Sequence, residues 1–127
     1  MENQVYTLGS WRVEEGRQAE FIAAWKDLGA IFGSLDQPPS GKGVLIQSTT
    51  DPVLFYSFGP WRSLQEVAAM RGDPRAQSGI ARLRELCTEA TPGTFRLAAE
   101  SPYRSPEATA STRGGRRRRR PPDRRGE

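Results

Sequence analysis

The hydrophobic pattern of this chain changes period four times within its first hundred residues, and the order of those changes limits what it can fold into. Residues 4–13 (QVYTLGSWRV) are rich in β-branched and aromatic side chains. Alternation puts Val5, Thr7, Gly9, Trp11 and Val13 on one face, and Tyr6 and Leu8 on the other. Both faces carry apolar groups, so the spacing predicts a strand covered on both sides. Gly16 breaks the pattern. From Arg17 the apolar residues Phe21/Ile22, Trp25, Leu28, Phe32 and Leu35 recur every three or four positions, opposite Arg17, Glu20 and Asp27. That spacing predicts an amphipathic helix, ended by the Pro38-Pro39-Ser40-Gly41 loop.

Residues 43–50 (GVLIQSTT) and 53–59 (VLFYSFG) read as two strands joined at the Asp51-Pro52 turn. Ser63-Leu64-Gln65-Glu66 has the form of a capping box: the serine oxygen accepts from the amide three residues on, and Glu66 reaches back to the cap. It opens a short helix carrying Leu64, Val67, Ala68 and Met70, interrupted at Gly72. Asp73-Pro74 restarts a helix, with aspartate at the cap and proline in the first turn. Ile80, Leu83 and Leu86/Cys87 form its apolar stripe, and Pro92-Gly93 is expected to close it. Residues 94–100 (TFRLAAE) then alternate as a last strand, with Phe95, Leu97 and Ala99 on one side.

The predicted order is β-α-β-β-α-β with the second helix broken in two. That is an α+β, ferredoxin-like sandwich: a four-stranded antiparallel sheet with its helices on one face. The other face is bare yet carries apolar side chains. A second copy of the chain, sheet against sheet, is the simplest cover, so a homodimer is expected.

Pro102 marks a change of composition. Residues 1–100 hold 10 Lys+Arg and 12 Asp+Glu, whereas residues 101–127 hold 9 Arg and 3 acids. The overall charge of +4 therefore belongs to the tail. The domain is assigned to residues 1–102. Residues 103–127 are expected to be a disordered basic tail, since the stretch from Arg113 onward has no apolar residue to offset its ordering entropy. The Arg113–Arg125 run implies at most weak, nonspecific contact with nucleic acid, because no aromatic is interleaved to stack on bases.

The chain has one cysteine, Cys87, and no histidine. Histidine-based triads, histidine haem ligation and the common histidine metal sites are excluded. No signal peptide pattern and no apolar run of membrane-spanning length is visible, so the expectation is a cytoplasmic protein with no membrane contact. On its apolar stripe Cys87 reads as an inert core thiol.

The run GSWRVEEGRQAEFIAAWKDL (residues 9–28) and the run FYSFGPWRSLQEV (residues 55–67), where a strand passes through Trp-x-Ser into a short helix, resemble antibiotic biosynthesis monooxygenase-type domains. The similarity covers about residues 4–100. It implies a dimeric α+β barrel and, among the activities of that family, oxygenation of phenols or quinols without a cofactor. Many relatives carry histidines in and just beyond the helix after Trp-x-Ser. Met70 and Arg75 stand at those positions here, and the sole asparagine is Asn3, ahead of the first strand. Oxygenase chemistry would then rest on Trp61, a tyrosine such as Tyr56, and an apolar pocket holding an electron-rich aromatic molecule beside O₂.

Trp25 and Phe32 on the helix stripe, Trp11 on the first strand, and Met70 complete the expected substrate-binding set. Each has a plainer reading as core or as gap filler. Trp11 and Tyr6 fall on opposite faces, so one should meet the helices and the other the partner chain. Arg62, Arg71 and Arg75 could rim the pocket for an anionic substrate, or be ordinary solvated arginines. The alternative to an enzyme is a non-catalytic dimeric domain that binds a small apolar ligand or serves a structural role.

Overall fold

The computed structural model describes residues 4–102. The first strand, β1 (Val5–Val13), is followed by helix α1 (Gln18–Gly33), strands β2 (Val44–Gln47) and β3 (Leu54–Trp61), helices α2 (Leu64–Gly72) and α3 (Pro74–Glu85), and strand β4 (Cys87–Arg96). The sheet is antiparallel in the order β2-β3-β1-β4, with β1 and β3 central. This is the expected α+β, ferredoxin-like arrangement. The expected disorder of residues 103–127 falls outside the described residues. Among the described residues no helix is long and apolar enough to cross a membrane.

Local chemistry sets the element ends. Gly16 takes φ 89°, a conformation open to glycine, and so turns the chain from β1 into α1. The Ser34 hydroxyl donates to the Ile31 carbonyl and closes α1. The Ser63 hydroxyl accepts from the Glu66 amide at 3.2 Å. Glu66 reaches back one residue further than expected, to the Arg62 amide at 3.2 Å, so the box is wider than the sequence rule draws it. Asp73 ends α2 and caps α3, accepting from the Arg75 amide at 2.8 Å.

The last third of the domain departs from expectation. Helix α3 stops at Glu85, and Leu86 donates its amide to the Leu83 carbonyl to close the final turn. The chain enters β4 at Cys87, opposite Val13, after a register shift between Arg12 and Val13. Cys87 thus sits on a strand, not on a helical stripe. Pro92 and Gly93, expected as a break, lie inside β4 opposite Gly9 and Leu8. Strand β4 is a sheet edge, and an edge strand tolerates a proline because one side of its backbone has no ladder to feed. Leu97 and Ala99 lie beyond the strand, although the Leu97 amide still donates to the Gln4 carbonyl.

Every second residue of the sheet faces the helices. The core on that side is split into two clusters. Trp11, Val13, Phe21, Leu28, Phe55, Leu83 and Leu86 pack at one end. Val5, Trp61, Val67, Met70 and Ala76 pack at the other. Phe32 and Ile80 touch both.

Candidate functional site

The division of the core originates in the central strands. The inward positions of β1 run Val5, Thr7, Gly9, Trp11, Val13, and those of β3 run Phe55, Ser57, Gly59, Trp61. Both strands are large at the ends and small in the middle. The antiparallel register places the small residues together, Thr7 opposite Gly59 and Gly9 opposite Ser57. A cavity of about 920 Å³ opens above this patch, between the sheet and the helices.

The two tryptophans at the ends of the patch lean inward across it. The Trp11 indole on β1 donates to the Ser57 hydroxyl on β3 at 2.9 Å. The Trp61 indole on β3 donates to the Thr7 hydroxyl on β1 at 3.2 Å. Each bond crosses diagonally to the neighbouring strand, so the pair is reciprocal. Glycine is required beneath Trp11: a Cβ on Gly9 would stand 2.7 Å from the indole nitrogen. A Cβ on Gly59 would press to 3.2 Å from the Gly43 backbone, where the loop before β2 closes over the sheet.

A hydroxyl that accepts an indole N–H keeps its own hydrogen to donate. Neither Thr7 nor Ser57 has an acceptor for that hydrogen among the described residues. Both hydroxyls line the cavity. The arrangement is therefore two donors held in place by two buried indoles, each made a better donor by the bond it accepts. The inner walls are largely apolar. Phe32 packs edge-on to Trp61 with ring centroids 5.5 Å apart. Trp25, Met70 and Ile80 continue the lining.

Five of the six residues proposed from the sequence, Trp61, Trp25, Phe32, Met70 and Trp11, line this cavity. Tyr56 does not. It is an even-numbered residue of β3, so alternation turns it to the opposite face of the sheet, paired with Ser10. Of the three arginines considered, only Arg71 reaches the cavity. Arg62 pairs with Glu66 and Arg75 with Asp73. Thr7, Ser57, Gly9 and Gly59 were not singled out by sequence reasoning. Their signal was present in the small-residue centre shared by the two inward faces.

The remaining titratable candidate is Cys87. Burial, reinforced by the nearby Glu14 carboxylate, pushes its thiol up to about 11, so it stays protonated and non-nucleophilic near neutral pH. Among the described residues, no group of three or more His, Cys, Asp or Glu is placed to hold a metal ion.

The outward face of the sheet is different in kind. Val44 and Ile46 on β2, Tyr56 and Phe58 on β3, and Phe95 on β4 share it and are exposed, Ile46 at 49% and Phe95 at 54%. Tyr6 lies on this face and Trp11 on the helix face, the opposite placement that alternation required.

No family model and no curated protein matches this sequence. Solved structures do match. The cofactor-independent oxygenase SnoaB from Streptomyces nogalater superposes with a TM-score of 0.70 at 20% identity, over 80% of this chain and 99% of that one. A candidate antibiotic biosynthesis monooxygenase from Bordetella bronchiseptica gives 0.66 at 16% identity, over 77% and 100%. Rv0793 from Mycobacterium tuberculosis gives 0.65 at 17% identity, over 77% and 98%. The order of elements, the sheet topology and these superpositions together show that the chain has the fold of the antibiotic biosynthesis monooxygenase-type domains.

Proposed function

We propose that this protein is a monooxygenase of the cofactor-independent kind, acting on a small aromatic or quinol-type molecule held between sheet and helices. The observation that carries this reading is the pair of indole-anchored hydroxyls, Thr7 and Ser57, on the floor of a cavity whose inner walls are largely apolar. An aromatic ring fits against Trp25, Phe32 and Met70. A ring oxygen accepts from one or both hydroxyls. Oxygenation of a phenol consumes the electrons of its anion, and donors fixed at the oxygen hold the charge without reorganising during the reaction. One oxygen atom of O₂ becomes the new quinone carbonyl, and the other leaves as water. The similarity in fold to SnoaB points the same way.

Two copies are proposed to assemble through the outward sheet face, which leaves the cavity on the far side of each sheet. The single, protonated thiol suits a reducing compartment such as the cytoplasm.

Oxygen uptake with a panel of phenols and hydroquinones tests the reading. The Thr7→Val/Ser57→Ala variant keeps the shape of the floor and removes both donors. It should lower kcat by about 10²-fold or more while the fold is retained. The second reading, a binding module without chemistry, is favoured by one observation: no histidine exists in the chain and no carboxylate lines the cavity to act as a base. It becomes the better account if the wild-type protein binds these compounds but takes up no oxygen with any of them.

A further inference from the structure

The described residues carry ten lysines and arginines, and these divide into two groups. Arg12 pairs with Asp51, Arg17 with Glu14 and Glu20, Arg62 with Glu66, Arg75 with Asp73, and Arg82 with Glu20 and Glu85. None of these five lines the cavity. The other five, Lys26, Lys42, Arg71, Arg84 and Arg96, have no carboxylate partner among the described residues. Four of them, Lys26, Lys42, Arg71 and Arg84, line the cavity.

The lining contains no aspartate or glutamate at all. Composition does not explain this, because residues 1–100 hold more acids than bases. The unpaired cations also come from separate places: Lys26 from α1, Lys42 from the loop before β2, Arg71 from α2 and Arg84 from α3. Four elements that need not agree in charge each present a free cation to one mouth.

We propose that the ligand of this cavity is an anion: a small aromatic compound carrying an ionised oxygen, whose charge lies against the Lys26, Lys42, Arg71 and Arg84 mouth while its ring enters toward the Thr7 and Ser57 hydroxyls. The inference rests on the reading of this cavity as the ligand site and deepens it. An ionised phenolate-type oxygen conjugated with the ring also accounts for the missing base. A compound already ionised in solution has released its proton to water before it binds, and the wall need supply only donors and positive charge. A carboxylate and an acidic phenolate-type oxygen offer the same chemistry to the mouth, and the test separates them.

The mouth is solvated, so each cation contributes modestly and its effect is screened by salt. Binding is read by quenching of tryptophan fluorescence under anaerobic conditions, so that turnover plays no part. The probes are naphthoate against its neutral isostere naphthamide, and hydroxynaphthoquinone against its methyl ether. The expected result is that at least one anion binds about tenfold more tightly than its neutral partner at low salt. That preference should shrink toward unity at about 0.5 M salt. The Lys42→Gln/Arg71→Gln variant should lose the preference while keeping its melting temperature and its affinity for the neutral probes. Whichever anion shows the preference identifies the head group.

Equal binding of anions and neutral partners overturns the proposal, as does a preference that survives both salt and the double variant, or a failure of every probe to bind. If the charge preference is absent while phenol oxygenation persists, only this inference falls. If anions bind as expected and no oxygen is consumed, the catalytic reading falls and this one stands.

Discussion

One sheet, built from the same few strands, presents two faces that do opposite things. On the helix side of β1 and β3, large residues stand at the ends and Thr7, Gly9, Ser57 and Gly59 in the middle, so packing is complete at both ends and a cavity remains between. On the other side, Tyr56, Phe58, Val44, Ile46 and Phe95 form an exposed apolar surface. The first face leaves a space with largely apolar inner walls and furnishes it with two donors. The second leaves apolar area in water, a state that favours association. A residue's parity on the strand decides which task it serves.

The largest effect should come from removing an end of the small-residue patch. Trp61 is 1% exposed, packs on Phe32 and holds the Thr7 hydroxyl. Trp61→Ala should destabilise the domain by about 3–5 kcal/mol, read by denaturant unfolding. A loss below about 1 kcal/mol would mean that the helix face is not organised around that indole.

The outward face is tested by Ile46→Glu. The side chain is half exposed in the single chain, so stability of the monomer should change little. Association should weaken by a large factor, because the proposed sheet-to-sheet contact would have to bury an unpaired charge. Sedimentation over a range of concentrations checks it. A variant that assembles as well as the wild type would place the association surface elsewhere.

Gly9→Ala sits between these in size. The added methyl would stand 2.7–2.9 Å from three atoms of the Trp11 ring, so the indole must lift away from Ser57. Overpacking of this kind costs about 1–3 kcal/mol. A shift in tryptophan emission and weaker ligand binding should accompany it. Unchanged emission would show that the ring does not lie over Gly9.

Much of this was legible in the sequence, and the failures have physical causes. The period changes gave the element order because burial of one face imposes the period itself. Trp11, Trp25, Phe32, Trp61 and Met70 could be placed near the cavity because large apolar residues on inward positions have few other places to go. The floor was harder to see. Glycine, serine and threonine in a strand carry little propensity signal, and only the β1–β3 register, which pairs Thr7 with Gly59 and Gly9 with Ser57, turns four weak residues into one feature. The start of β4 was misplaced because Pro92-Gly93 reads as a break, and only the edge position of the strand makes it harmless.

Cys87 offers a smaller, pH-dependent test on the helix side, where it packs against the first core cluster. Its ordinary value of 9.0 rises to about 11 in the fold, chiefly through burial. The folded chain therefore holds the proton after the unfolded chain has lost it. The contribution of this thiol to stability is complete below pH 9 and declines as pH rises from about 9 to 11. Alkylation of the folded protein at pH 8 should be much slower than of the unfolded chain, since the thiolate is the reactive form. Equal rates would contradict the burial of the sulfur.

The smallest expected effect discriminates most finely between the two faces. Tyr56 was grouped with the cavity residues by its chemistry, a phenol next to a tryptophan-bearing strand end, and separated from them by parity. Its neighbours across the strands are Ser10 and Ile46, on the outward face. Tyr56→Phe removes one exposed hydroxyl that no described residue engages. Stability should move by less than about 0.5 kcal/mol, and ligand affinity and oxygen uptake should not move at all. A loss of turnover with an intact fold would mean that the phenol reaches the reacting molecule after all. That outcome would also contradict the proposed sheet-to-sheet assembly, which leaves each cavity on the opposite side of its sheet from Tyr56.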